Sequence, residues 1–260
     1  NYDPAFWLDF FKKIHAQGAL LSAGGIVAFY PTAIPLHHRS DWLKDRDVLG
    51  ELVTGCRKMN MSVILRTDPH AARKEMAEAH PDYIHVTKEG QKRKHWANPD
   101  LWVTCALGPY NFKFMTEVLR EIMTRYKPDG IFSNRWAGHG ICHCEHCTMN
   151  FKKFSGLALP ETAERLDPVY QKWNQWRTER LKELWFHWDA AIRKIDMASR
   201  FIPNGFPDKL LTGQHADFFF ADRHMAGEVA VEVFAKDVVG ANADSVGKRL
   251  ADTDAFTRHP

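Results

Sequence analysis

Residues 112–136 read FKFMTEVLREIMTRYKPDGIFSNRW, and the way this stretch divides decides the fold. It gives a helix over 112–126, a short apolar strand over 130–133, and then the polar or aromatic trio Asn134-Arg135-Trp136 at the strand's C-terminal end. A helix feeding a buried strand that ends on polar groups is the repeating unit of α/β folds with parallel sheets.

The same unit recurs on both sides. Upstream, Asp3 can cap a helix with Pro4 at its first position and Phe6, Phe10, Phe11 and Ile14 as its stripe. Gly18 ends that helix, a strand over 19–21 follows, and Gly24, Gly25, Pro31 and Pro35 make a long loop. Next come a helix over 47–59, a strand over 62–65, a helix over 71–79, a hairpin around Glu89-Gly90 and a strand over 101–105. Downstream lie helices over 145–154 and 168–195 and strands over 201–203 and 218–221. The long helix carries Val169, Trp173, Trp176, Leu181, Leu184, Trp188, Ile192 and Ile195 at a 3.6-residue period.

Six short strands, most of them separated by helices, fit either a doubly wound sheet or a (β/α)8 TIM barrel. No Gly-x-Gly-x-x-Gly or Walker-type loop follows any strand, which weighs against the nucleotide-binding sheets. Polar residues crowd the strand ends at Arg66-Thr67-Asp68-Pro69-His70, Thr104-Cys105, Asn134-Arg135-Trp136, Asn204 and Asp222-Arg223-His224. That rim is where a TIM barrel keeps its active site, so the barrel is favoured. Six units already use about 220 residues, so the barrel is expected to be incomplete at its C-terminal end. The expected domain is 1–237, and 238–260 reads as a weakly patterned tail or a truncated end.

The 260 residues are 45% apolar and 26% charged, a globular composition that excludes collagen, coiled coil and low-complexity disorder. No apolar run reaches the ~18 residues of a membrane span. Thirty-five basic against 32 acidic residues give +3. The one locally basic segment, KEGQKRK at 88–94, reads more plainly as a solvated hairpin than as a phosphate patch. Neither nucleic acid nor a membrane is an expected partner, and the reading leaves room for an oligomer. The chain begins at Asn1 with no signal-like segment, so an export signal is expected to be absent or already removed.

The sharpest local signal is Cys142-His143-Cys144-Glu145-His146-Cys147. Three thiols in a C-x-C-x-x-C turn cannot all pair with one another, but they can ligate one soft cation, and zinc wants four ligands. The fourth is His143, His146 or a distant thiol. Cys105, at the end of the preceding expected strand, makes a four-thiolate site natural, whereas Cys56 lies on a helical apolar stripe and reads as core. Four thiolates leave no open position for water, so such a zinc is structural. A reducing cytoplasm suits that site, and export is compatible with it when the metal is loaded first.

Ser133-Asn134-Arg135-Trp136 followed by the C-x-C-x-x-C turn and Phe151 resembles the family 42 β-galactosidases, where an Asn-Glu pair ends the fourth barrel strand and a zinc loop follows. The run as a whole is more similar to the hypothetical glycosyl hydrolase 6 family of glycoside-hydrolase-like TIM barrels. The matching segments are LSAGGIVAFYP at 21–31, DRDVLGELV at 45–53, RTDPH at 66–70, His80-Pro81-Asp82, Thr104-Cys105 and DGIFSN at 129–134. The resemblance implies a glycoside hydrolase acting on an oligosaccharide or glycoside, with a structural zinc on Cys105, Cys142, Cys144 and Cys147. One departure matters: Arg135 stands where family 42 has its acid/base Glu, and a guanidinium cannot act as a general acid. It could instead bind a carboxylate such as that of a uronic acid. An inactive carbohydrate-binding barrel is therefore the rival reading.

Glycoside hydrolysis ordinarily uses two carboxyl groups. Strand-end carboxylates are few. Asp222 is the expected base or nucleophile, with a salt bridge to Arg223 as the competing reading. Asp68 is a hydroxyl ligand or acid, against a helix N-cap ahead of Pro69. Arg66, His70, Asn134, Arg135 and Trp136 are the expected substrate-binding residues. Asn134 is placed to donate to a sugar 2-hydroxyl, and Trp136, with Trp96 and Trp102, to stack on a sugar ring. Trp173, Trp176, Trp185 and Trp188 are expected in the core.

Overall fold

The computed structural model describes residues 3–204. At the centre is a parallel sheet of four strands, β1 (Gly18–Gly25), β2 (Ser62–Asp68), β5 (Gly130–Ser133) and β6 (Arg200–Pro203), in the order β1-β2-β5-β6. A two-stranded antiparallel sheet, β3 (Ala71–Ala72) with β4 (Trp102–Val103), stands apart from it. The helices are α1 (Pro4–Lys13), α2 (Val48–Lys58), α3 (Lys74–Ala79), α4 (Thr116–Tyr126), α5 (Glu145–Ser155) and α6 (Pro168–Arg193). Strand neighbours in sequence order, joined through helices, fit part of the expected barrel.

Register explains how the sheet gathers its polar end. Leu21, Leu65, Ile131 and Phe201 are in line across the four strands and all are buried. One residue further along, Ser22, Arg66, Phe132 and Ile202 are in line and point to the other face. Two more residues along that face give Asp68, Asn134 and Asn204, so three adjacent strands deliver their polar groups to one edge. The first strand reaches this edge through a bulge between Ser22 and Gly24. Gly25 closes it at φ +117, where a Cβ would lie 2.3 Å from the Asp68 carbonyl oxygen, so only glycine lets β1 and β2 meet there.

Local chemistry sets most helix ends as the sequence implies. The side chains of Asp3, Asp47 and Asp167 cap α1, α2 and α6 by accepting from Ala5, Gly50 and Val169 N–H groups. The hairpin turns at Gly90 (φ +78), with the Thr87 N–H donating to the Gln91 carbonyl. Along α6, Trp173, Trp176, Trp185 and Trp188 are buried, as the periodicity requires.

Several expectations are corrected. Residues 101–105 supply no barrel strand: Trp102 and Val103 pair antiparallel with Ala72 and Ala71, and β2 is the direct neighbour of β5. An apolar run of strand type fixes neither its sheet nor its partner. The helix expected over 71–79 starts at Lys74, because Ala71 and Ala72 are used in that pairing. Gly24 and Gly25 belong to β1, not to the loop after it. On α1, Phe11 packs against the core as expected, but Phe6, Phe10 and Ile14 are exposed and Trp7 and Leu8 take their place. The strand expected over 218–221, Asp222 and the tail 238–260 lie outside the described residues. Among the described residues no helix is long and apolar enough to cross a membrane.

Candidate functional site

The strand-end edge is a connected polar chain. Arg66 Nε donates to Asp68 Oδ2 at 3.0 Å, and its Nη2 donates to Oδ1 at 3.3 Å. Asn134 Nδ2 donates to the same Oδ1 at 2.6 Å, while its own Oδ1 accepts from Asn204 Nδ2 at 2.7 Å. Those two bonds fix which way the Asn134 amide points. Asn134 is buried at the strand end, and Asp68 keeps part of its carboxylate open to solvent. Asp68 thus accepts from two side chains, Arg66 and Asn134.

Beside this chain lies a platform of imidazoles and indole. His70 Nδ1 is 4.0 Å from Asp68 Oδ1, and His70 Nε2 is 3.4 Å from His95 Nε2. His95 Nδ1 accepts from the Ala97 and Asn98 N–H groups, which places the His95 proton on Nε2, facing His70. Trp96 stacks on His95 at 3.9 Å and on His70 at 5.5 Å, and meets His139 edge-on at 4.5 Å. Burial pushes His70 down to about 4, with Arg135, His95 and His139 adding to the effect and Asp68 opposing it. His70 is therefore neutral near pH 7.

Five of the expected site residues, Arg66, Asp68, His70, Asn134 and Arg135, thus meet at this edge. Arg135 joins through Trp96, with its guanidinium 5.1 Å from the ring centre. Trp136 does not join. It is 0% exposed, packs on Trp188 and Phe201, and donates its indole N–H to the Asn204 carbonyl. The physical cause is Arg135 at φ +55: the left-handed turn carries Trp136 beneath the edge and leaves Arg135 outside it. Trp136 cannot stack on a sugar, whereas Trp96 is 52% exposed. His95 and His139 were not singled out by sequence. His95-Trp96 directly follows the basic hairpin and His139 lies between two glycines, but only the fold brings these segments to one place. A groove of about 710 Å³ lined by Leu8, Thr54, Arg57 and Arg125 among others holds none of these residues.

The cysteines form a second centre. The sulfurs of Cys105, Cys142, Cys144 and Cys147 all lie within 4.8 Å of one another and all four residues are buried. Cys105 Sγ is 3.4 Å from Cys147 Sγ and 3.6 Å from Cys144 Sγ. Four sulfurs bound at ~2.3 Å around a tetrahedral ion stand about 3.8 Å apart, so the cluster can hold a metal ion. The four thiols share their protons unevenly: hydrogen bonds from the others pull Cys144 strongly down and Cys142 down, while Cys105 and Cys147 are pushed up. Cys144 caps α5 and Cys147 lies in its first turn, where the helix dipole favours negative charge. Gly108 gives the cluster room, since a Cβ there would be 3.1 Å from Cys105 Sγ. His146 bonds the Leu107 carbonyl and Cys56 is buried in α2, so neither belongs to the cluster. Cys105 arrives from the antiparallel arm, not from a barrel strand. Its N–H donates to the Tyr83 carbonyl, and the His143 N–H donates to the Val86 carbonyl.

The model of the family described as hypothetical glycosyl hydrolase 6 matches residues 5–135, half of the chain. The chain belongs to that family. No curated protein matches it. Among solved structures it is similar to α-L-fucosidase isoenzyme 2 from Paenibacillus thiaminolyticus, with a TM-score of 0.65 and 15% identity over 98% of this chain and 46% of that one. It is also similar to a β-galactosidase from the psychrophilic Marinomonas ef1, with a TM-score of 0.60 and 12% identity over 86% and 39% of the two chains. A hypothetical protein from Ruminiclostridium thermocellum has a TM-score of 0.51 and 10% identity over 77% and 89%. At these identities the likeness establishes the fold. This hypothetical glycosyl hydrolase 6 member spans less than half the length of the fucosidase and the galactosidase. It is a glycoside-hydrolase-like α/β protein whose parallel sheet carries the polar edge described above.

Proposed function

We propose that this chain acts on the glycosidic bond of an oligosaccharide or glycoside held at the strand-end edge. The observation that carries the reading is the Asp68 carboxylate, gripped by Arg66 and Asn134 at the ends of adjacent parallel strands and flanked by the Trp96 platform. In this reading Asp68 and Asn134 hold sugar hydroxyls, His70 contributes a neutral donor, and of the candidate stacking indoles Trp96 takes the role. Asp222 is the base or nucleophile. The cysteine cluster holds zinc, which suits four thiolates and no open position, and ties the arm bearing Trp96 to the loop after β5. The metal supplies cross-linking and no step of the reaction.

A second reading is a barrel that binds glycans without cleaving them. It is favoured by Arg135 directly after Asn134, and by Asp68 being the one strand-end carboxylate among the described residues and already engaged by two donors. Ligand-observed proton NMR against a panel of neutral and acidic oligosaccharides separates the two. The hydrolase gives new anomeric signals, and Asp222→Asn lowers their rate of appearance by at least a hundredfold. Binding without new anomeric signals in the parent chain supports the binder, and no interaction with any sugar contradicts both.

A further inference from the structure

Among the described residues, cations outnumber anions at the strand-end edge. The Arg66–Asp68 pair, at 3.0 Å, occupies the one strand-end carboxylate among the described residues. Arg135 and Arg93 have no acidic partner within ion-pair distance among those residues. Arg93 Nη1 donates to the His139 carbonyl at 2.8 Å, and the exposed Arg135 faces the Trp96 ring. An unpaired surface arginine is ordinary, but this one is set by the backbone. Its left-handed φ and the bond from the Gly138 N–H to its carbonyl hold it beside Asn134 while Trp136 goes inward. The neighbouring imidazoles bring no counter-charge. His70, His95 and His139 are pushed down chiefly by burial, and the Arg135 charge pushes each of them further. Among the described residues the result is a fixed positive charge that no carboxylate pairs with, next to a half-exposed indole.

Building on the sugar-site reading, we propose that the sugar held here carries an oxyanion, the carboxylate of a uronic acid or a sulfate ester, which Arg135 grips while the sugar ring lies against Trp96. A guanidinium fork matches two oxygens of either group, and it is the only side-chain type that offers such paired donors in one plane. Asp68, which would repel an anion, is neutralised by Arg66 and is left to accept from a hydroxyl. A neutral sugar would offer the guanidinium no charged partner.

The test is titration of the metal-loaded full chain with D-glucuronate, D-galacturonate, glucose 6-sulfate and D-glucose, followed by calorimetry or ligand-observed NMR at low and at high salt. At least one acidic sugar is expected to bind about tenfold more tightly than glucose, with an advantage that shrinks as salt rises. The uronates and the sulfate distinguish the two sources of the oxyanion. Arg135→Gln should bring the ratio of acidic to neutral affinity to about one. Arg135→Lys, which keeps the charge and loses the fork, should retain part of it. Glucose binding as tightly as every acidic sugar, or an acidic preference that survives in Arg135→Gln, overturns the proposal and leaves the sugar site standing. No binding by any of the four overturns the sugar site and the proposal together.

Discussion

His37 holds the turn after β1 in a way that makes it sensitive to acid. It is buried, its Nε2 accepts from the Gly25 N–H at 3.4 Å, and its Nδ1 lies 3.2 Å from Thr32 Oγ1. Thr32 Oγ1 in turn donates to Glu121, which also accepts from the Tyr30 hydroxyl and the Ala33 N–H. The bond from the Gly25 N–H needs the neutral ring, because a protonated Nε2 cannot accept. Burial pushes His37 down to about 4, although Glu121 opposes the shift. The unfolded chain, with an imidazole near 6.5, binds the proton first, so this contribution is complete above pH ~6.5, fades as pH falls towards 4, and is worth at most about 3 kcal/mol. Urea unfolding at pH 7 and pH 4.5 should show a larger loss for the parent than for His37→Gln, whose amide cannot titrate. An imidazole that titrates near 6.5 in the folded chain would contradict this.

Elements differ in how much of them the sequence carries. The strand at 130–133 and the helix from Pro168 are legible because composition and period are local properties. The strand read over 101–105 is locally just as strand-like, and only its long-range pairing with Ala71–Ala72 takes it out of the sheet. Trp136 was placed on the rim by its position after a strand. One left-handed residue reverses that, and nothing in the composition announces it. The site is legible where adjacent strands deliver it, at Arg66, Asp68 and Asn134; on the distant arm Trp96 is legible as a stacking candidate, but its neighbour His95 is not. The wide π-helical turn over Tyr110–Met115 is another such case, hidden inside an expected α-helix. Trp188 on α6 clasps it, its indole N–H donating to the Asn111 carbonyl at 3.0 Å and to Thr116 Oγ1 at 3.2 Å. Trp188→Phe keeps an aromatic ring but loses those bonds and part of the indole's volume, for an expected cost of about 1–3 kcal/mol. Trp188→Ala also leaves a cavity and should cost about 3–5 kcal/mol. Equal urea midpoints for parent and Trp188→Phe would show that the clasp adds nothing.

At the scale of the molecule, one arm connects the strand-end edge and the cysteine cluster. The segment running from Tyr83 to Cys105 carries the hairpin and Trp96, and it ends in the cysteine cluster. Stripping the metal should therefore weaken sugar binding without touching any residue at the edge. A zinc-selective chelator is expected to release about one equivalent of zinc, lower Tm, and reduce affinity for a bound sugar, with recovery on adding zinc back. Affinity unchanged after complete removal would disconnect the arm from the site.

The claim on which the rest depends is that sugar sits at the ends of β2, β5 and β6. The direct measurement is amide and side-chain amide chemical-shift mapping of the metal-loaded chain during titration with the tightest-binding sugar. The account expects the largest shifts at Asp68, at the Asn134 and Asn204 side-chain amides, and at the Trp96 indole N–H. Shifts confined to the groove among α1, α2 and α4, or to any face away from these strand ends, would contradict it.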